Sequence, residues 1–205
     1  MSFFSRFTAI SLLGASIAMA ATASANLIQN GGFEQPDVKA GTWKYFSAST
    51  VDGWNGSNIE VWDAFNGVTA YEGAQHAELN AHPSHGGAFS IFQGFDTTVG
   101  ASYDLSFAYR ARQSNNESFS AEVAGINWIL DDHTTSGWSL FSGSFLATSA
   151  FTTLTFTSIF PETGTVGNFL DDVQVTPSVA ASVPAPASLA LVAFGLLGLA
   201  LRSRK

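Results

Sequence analysis

Ser102-Tyr103-Asp104-Leu105-Ser106-Phe107-Ala108-Tyr109-Arg110 is the stretch that decides the fold. Tyr103, Leu105, Phe107 and Tyr109 fall on one side, and Ser102, Asp104, Ser106 and Arg110 fall on the other. A period of two marks a half-buried strand. The same signal recurs on either side. Phe89, Ile91 and Phe95 alternate around Gln93, and Leu154 and Phe156 sit among threonines, which favour strands. Asn168 to Thr176 carries Val173 and Val175 on one face. Helix signals are scarce between the two ends of the chain, and Gly, Asn, Asp and Ser separate the apolar runs. The pattern predicts an all-β sandwich of about eight to ten strands.

The ends read differently. Arg6, the apolar stretch Thr8 to Ala20 and the small residues Ala23-Ser24-Ala25 form the pattern of a secretory signal peptide over residues 1–25, cut before Asn26. The chain has no Cys, which excludes a lipoprotein route and disulfides in an oxidising destination. Stability must then come from a packed core or a bound metal. All 16 acidic residues lie between the two ends, against only Lys39, Lys44, Arg110 and Arg112. That balance argues against nucleic acid or anionic lipid as partner and suits a neutral glycan or a divalent cation. Solubility outside the cell would explain much of it as well.

Residues 177–186 read as a Pro- and Ala-rich linker. The uncharged run Ala187 to Leu201 follows, and Arg202, Arg204 and Lys205 close the sequence. As a helix the run spans about 22 Å, short of a hydrocarbon core of roughly 30 Å, but cationic side chains at its end can reach the headgroups. The basic end, residues 202–205, is expected on the cytoplasmic side of a transmembrane helix over 187–201, with the rest of the chain outside. Val183-Pro184-Ala185-Pro186, the apolar run and Arg202-Ser203-Arg204-Lys205 together resemble the PEP-CTERM sorting signal of Gram-negative bacteria that make exopolysaccharide. Val183, Pro184, Pro186, Arg202, Arg204 and Lys205 carry the resemblance, and Ala185 stands where that signal usually has Glu. The resemblance implies an exosortase-type sorting peptidase as partner and a transient inner-membrane anchor facing the periplasm. It implies a cell-surface or extracellular-matrix destination.

In the middle, Asn30-Gly31-Gly32-Phe33-Glu34 opens the domain and Phe169-Leu170-Asp171-Asp172-Val173 closes it. Between them come Gly53-Trp54, Ile59-Glu60-Val61-Trp62 and Gly73-Ala74-Gln75-His76-Ala77-Glu78-Leu79-Asn80. This order resembles the galactose-binding-like jelly rolls, especially secreted domains similar to DUF642 and some carbohydrate-binding modules, over residues 26–176. The resemblance implies a two-sheet sandwich, often with a structural Ca²⁺, and binding in place of catalysis. It places such an ion at Glu34 and Asp171. The alternative is that both carboxylates serve only as hydrogen-bond acceptors or caps.

Trp43, Tyr45, Trp54, Trp62 and Tyr71 crowd into one part of the chain. Sugar rings stack on such side chains while amides or carboxylates fix their orientation, so Trp54, Trp62, Tyr71 and Glu60 are the candidate ligand-binding residues. If Ile59 and Val61 face the core, Glu60 and Trp62 face away from it. His82-Pro83-Ser84-His85 reads as a solvated loop, and His76 and His133 carry no signal. Glu60 and Glu78 on neighbouring strands are the nearest approach to a glycosidase pair, but no catalytic motif accompanies them. The sequence therefore points to a secreted, non-catalytic protein that binds extracellular polysaccharide or acts in an exopolysaccharide or biofilm matrix. The alternatives are a purely structural matrix protein and a polysaccharide-degrading enzyme.

Overall fold

The computed structural model describes residues 25–178. The expected signal peptide, apart from Ala25, and the membrane helix, the basic end and all of the linker beyond Ser178 lie outside the described residues. Eleven strands follow in chain order: β1 (Thr42–Phe46), β2 (Asn55–Gly56), β3 (Ile59–Asp63), β4 (Gln75–Glu78), β5 (Ser90–Asp96), β6 (Ser102–Arg110), β7 (Ser118–Val123), β8 (Ile126–Leu130), β9 (Ser139–Leu146), β10 (Phe151–Phe160) and β11 (Phe169–Pro177). The helical elements among the described residues are two single 3₁₀ turns, Ala48–Thr50 and Phe65–Gly67. One sheet runs β1-β3-β4-β11-β6-β9 and the other β2-β5-β10-β7-β8, antiparallel throughout. The two sheets form a jelly-roll sandwich.

The alternation read from Ser102–Arg110 is realised in β6, where Tyr103, Leu105, Phe107 and Tyr109 are buried in the core. Phe107 meets Phe156 of the opposite sheet edge-on at 5.1 Å between ring centres. Ile91, Phe95, Leu154, Val173 and Val175 complete the inner layer. The strand count exceeds the expected eight to ten by short elements that carry no alternation. β2 is two residues long, and β4 reads Gln-His-Ala-Glu with every residue buried.

Trp54 lies inside the core, 1% exposed, stacked on Phe33 at 5.1 Å, with its indole N–H donated to the Asn30 carbonyl at 3.2 Å. This corrects its assignment as a ligand platform. Phe33 takes a left-handed backbone (φ 55°), which aims its ring inward where Trp54 completes the packing.

The opening segment clasps the closing strand. Leu27 N donates to Val175 O at 2.8 Å, Val173 N to Gly31 O at 3.0 Å, and the Asn26 side chain bridges Val173 O and Val175 N. The contact is close enough that a Cβ on Gly31 would sit 2.1 Å from the Val173 carbonyl oxygen. Gly31→Ala is therefore expected to lower stability by roughly 1–3 kcal/mol, read as a lower midpoint in urea with an unchanged slope.

Candidate functional site

The outer face of the first sheet carries the chemistry. With Ile59 and Val61 in the core, Glu60 and Trp62 project from the other side of β3. The register sets Tyr45, Glu60, Glu78, Phe169 and Arg110 in one cross-strand row, and Trp43, Trp62 and His76 in the next. Trp43 and Tyr45, on the edge strand, are exposed. Trp62 is only 1% exposed, because Phe65 and Phe169 pack edge-on against its ring at 5.1 and 5.0 Å. The Arg112 guanidinium also lies 4.7 Å above that ring.

Arg112 is fixed from below. Its Nη1 donates to both oxygens of Glu78 at 2.7 and 2.8 Å, and Gly167 N donates to Glu78 Oε1 at 2.7 Å. Glu60 accepts from His82 N at 2.8 Å and from the Trp62 indole at 3.2 Å. Burial, then the neighbouring Glu60, pushes the Glu78 carboxyl well above the usual carboxylate range, while Arg112 pulls it down. These carboxylates are 2% and 0% exposed and committed to protein donors, so the pair presents no cleft in which a glycosidic bond could lie between them.

Above this floor is a hollow of about 310 Å³ bounded by Trp62, Phe169, Arg112, Gln113, Asn66 and Val166. Both walls are held by carboxylates that collect backbone amides. On one side, Asp171 Oδ2 accepts from Tyr71 N and Glu72 N at 2.7 and 3.0 Å, and Glu34 Oε1 accepts from Ala74 N and Gln75 N at 2.8 and 3.0 Å. The Trp138 indole ties down Thr69 O at 3.0 Å. The segment so pinned runs back to Asn66. On the other side, buried Glu117 accepts from Arg112 N, Gln113 N, Ser114 N and Asn168 N at 2.7–2.9 Å.

Glu34 and Asp171, the expected metal ligands, are brought together beside Gly32. A Cβ built there would lie 3.9 Å from both Asp171 Oδ1 and Glu34 Cγ, and 2.7 Å from Glu72 Oε2. Their oxygens are the hard donors Ca²⁺ takes, yet no group of three His, Cys, Asp or Glu side chains among the described residues is close enough to hold a metal. Burial pushes Asp171 up to about 7, against three amide donors that favour its charged form.

The structure does not bring Tyr71 to the Trp62 hollow. Its ring is exposed and lines a separate hollow of about 250 Å³ with Leu140 and Phe141. His82 and His85 are on an exposed loop, as read from the sequence, whereas His76 and His133 are buried. Both ring nitrogens of His76 lack a hydrogen-bond partner, and burial followed by the nearby Arg110 charge lowers it to about 3. Sequence reasoning missed Arg112, Gln113 and Glu117. A signal was present in Arg112 itself, one of four cations between residues 26 and 183, placed just after the clearest strand.

Residues 182–205 are a PEP-CTERM protein-sorting motif. Halomucin of Haloquadratum walsbyi is 27% identical over 161 residues, which is 75% of this chain but 2% of halomucin. Among solved structures, the arabinose-bound α-L-arabinofuranosidase MgGH51 superposes with a TM-score of 0.50 at 14% identity, over 77% of this chain and 27% of that one. TmCBM61, in complex with β-1,4-galactotriose, does so with a TM-score of 0.46 at 17% identity, over 76% of this chain and 100% of the module. Carbohydrate-binding jelly-roll modules are thus among the structural neighbours, and the likeness is one of fold.

Arg112 and Glu78 form the one ion pair between side chains among the described residues. Replacing Arg112 with Met leaves Glu78 buried without its cation. Because Glu78 already holds its proton to a higher pH when folded than when unfolded, the folded state loses stability as pH rises through that window. Removing Arg112 extends the window upward. The penalty of Arg112→Met is therefore expected to grow from pH 5 to pH 8, reaching about 1–3 kcal/mol, as read from paired denaturation curves.

Proposed function

We propose that this chain is an exported, non-catalytic carbohydrate-binding protein that contacts extracellular polysaccharide through the Trp62 hollow. Its tail is handed to an exosortase-type peptidase at the inner membrane. The sorting motif over residues 182–205 supports the route. The observation that carries the binding role is the composition of the hollow: one guanidinium fixed over the buried Trp62 ring, part-exposed Val68 and Val166 as its apolar surface, and the exposed amide side chains of Asn66 and Gln113 at its rim. Such a surface gives a sugar ring apolar contact and a few oriented donors. The domain is strongly acidic, so the ligand is a neutral glycan. The jelly-roll neighbours support the same reading. The proposed setting is the exopolysaccharide or biofilm matrix, a reading the sorting motif supports.

Glycan-array binding and titration calorimetry test the role. Gln113 has an exposed side chain, so Gln113→Ala is expected to weaken binding about tenfold while leaving the melting temperature unchanged. Wild-type affinity in Gln113→Ala and Arg112→Gln together, or binding to no glycan, would leave a purely structural matrix role.

We also propose a structural Ca²⁺ at Glu34 and Asp171. It would supply the positive charge that buried Asp171 lacks and would reinforce the wall that carries Asn66. EDTA is expected to lower the melting midpoint by several degrees and Ca²⁺ to restore it. An unchanged midpoint removes the ion.

A further inference from the structure

The second sheet has an outward face of its own. Along β5, Ile91, Gln93 and Phe95 point inward, so Ser90 and Phe92 point out. Phe92 is 40% exposed in mid-strand, with Asn55 of β2 on one side and Thr155 of β10 on the other in register. Glu122 and Asn127 extend this row across β7 and β8. Beside Phe92 is a hollow of about 510 Å³ walled by Gly56, Ser57, Asn58, His85 and Ser90.

The walls are built, not incidental. Ser57 Oγ accepts from Ser90 N at 3.0 Å and is hydrogen-bonded to His85 Nε2 at 3.1 Å. The His85 ring packs edge-on against buried Phe89 at 4.8 Å, and Ser84 Oγ ties the same loop to Thr163 O at 2.8 Å. At Gly56 (φ 106°) a Cβ would lie 2.2 Å from the Ser90 carbonyl oxygen, so the backbone itself forms that wall. No Asp or Glu takes a hydrogen bond from the other ring nitrogen of His85 among the described residues, so Ser57 and His85 lack the third group that orients a nucleophile's base.

An exposed aromatic face bordered by hydroxyl, amide and imidazole groups, with no Asp, Glu, Lys or Arg in the lining, matches a neutral pyranose or furanose unit. We propose that this hollow is a second sugar-contacting site, which gives the chain two glycan sites on opposite faces. The proposal rests on the sugar-binding reading of the Trp62 hollow for its ligand class. Two sites facing opposite ways cannot grip one short oligosaccharide together. They join separate polysaccharide segments, and binding to a dense matrix then exceeds binding to either site alone.

The test is a titration of the ¹⁵N-labelled full chain, held in a sugar-free detergent, with galactotriose, xylotriose and trigalacturonate. The neutral sugars are expected to move the amide signals of Ser57, Ser90 and Phe92 as one set and those of Asn66 and Gln113 as another. Phe92→Ser, or His85→Ala on the exposed loop, is expected to weaken the first set at least fivefold and leave the second unchanged. Arg112→Gln is expected to do the reverse. Failure of Ser57, Ser90 and Phe92 to respond to either neutral sugar overturns the proposal. So does an unchanged response in both variants, or tighter binding of trigalacturonate there. A response at Phe92 with none at Asn66 and Gln113 sustains the sugar contact here, and removes the Trp62 hollow and with it the joining of two segments.

Discussion

Carboxylates that gather backbone amides hold the working end of this sandwich together. Glu34, Glu117 and Asp171 each accept from two or more main-chain N–H groups. The loops they organise have no regular pairing of their own, and buried amides without acceptors would cost about as much as the packing of a side chain returns. A charged acceptor makes a stronger bond than a neutral one and has lone pairs enough for several donors. In a chain with no disulfide, one carboxylate can therefore fix a loop that would otherwise need a covalent tie.

The same arrangement explains how a hollow forms on a sheet face that is otherwise closed. The cover over Trp62 is made by two loop walls and one guanidinium, and each is pinned by an acid. Arg112 is the joint between them. Its backbone amide belongs to the Glu117 set, its side chain is held by Glu78, and its flat face covers the Trp62 ring. Stacking of a guanidinium on an indole adds to the geometry that the ion pair imposes.

Much of the fold was legible because it rests on local pattern. β6 alternates plainly, and Ile59 and Val61 fixed the outward direction of Glu60 and Trp62. The rest depends on contacts between distant parts of the chain. β4 is buried on both sides, so its polar residues break the two-residue rhythm that would announce a strand. Trp54 and Trp62 look equivalent in sequence. One is stacked inside the core on Phe33, and the other is hidden by loops whose course no periodicity reports. Solubility alone would explain much of the acidic excess, yet Glu60, Glu78, Glu117 and Asp171 are buried. Charge counts cannot distinguish a carboxylate in water from one that holds a loop.

β11 joins the two ends of the domain. Phe169 at its start lines the Trp62 hollow, while Pro177 at its finish pairs with Tyr103, and Ser178 N bonds to Ser102 O. A strand of that length separates the two by about 27 Å. Whatever grips residues 182–205 grips the molecule from the Pro177 pole. The attachment point is thus the end of β11 farther from the Trp62 mouth, like the foot of a mooring post whose head stands clear.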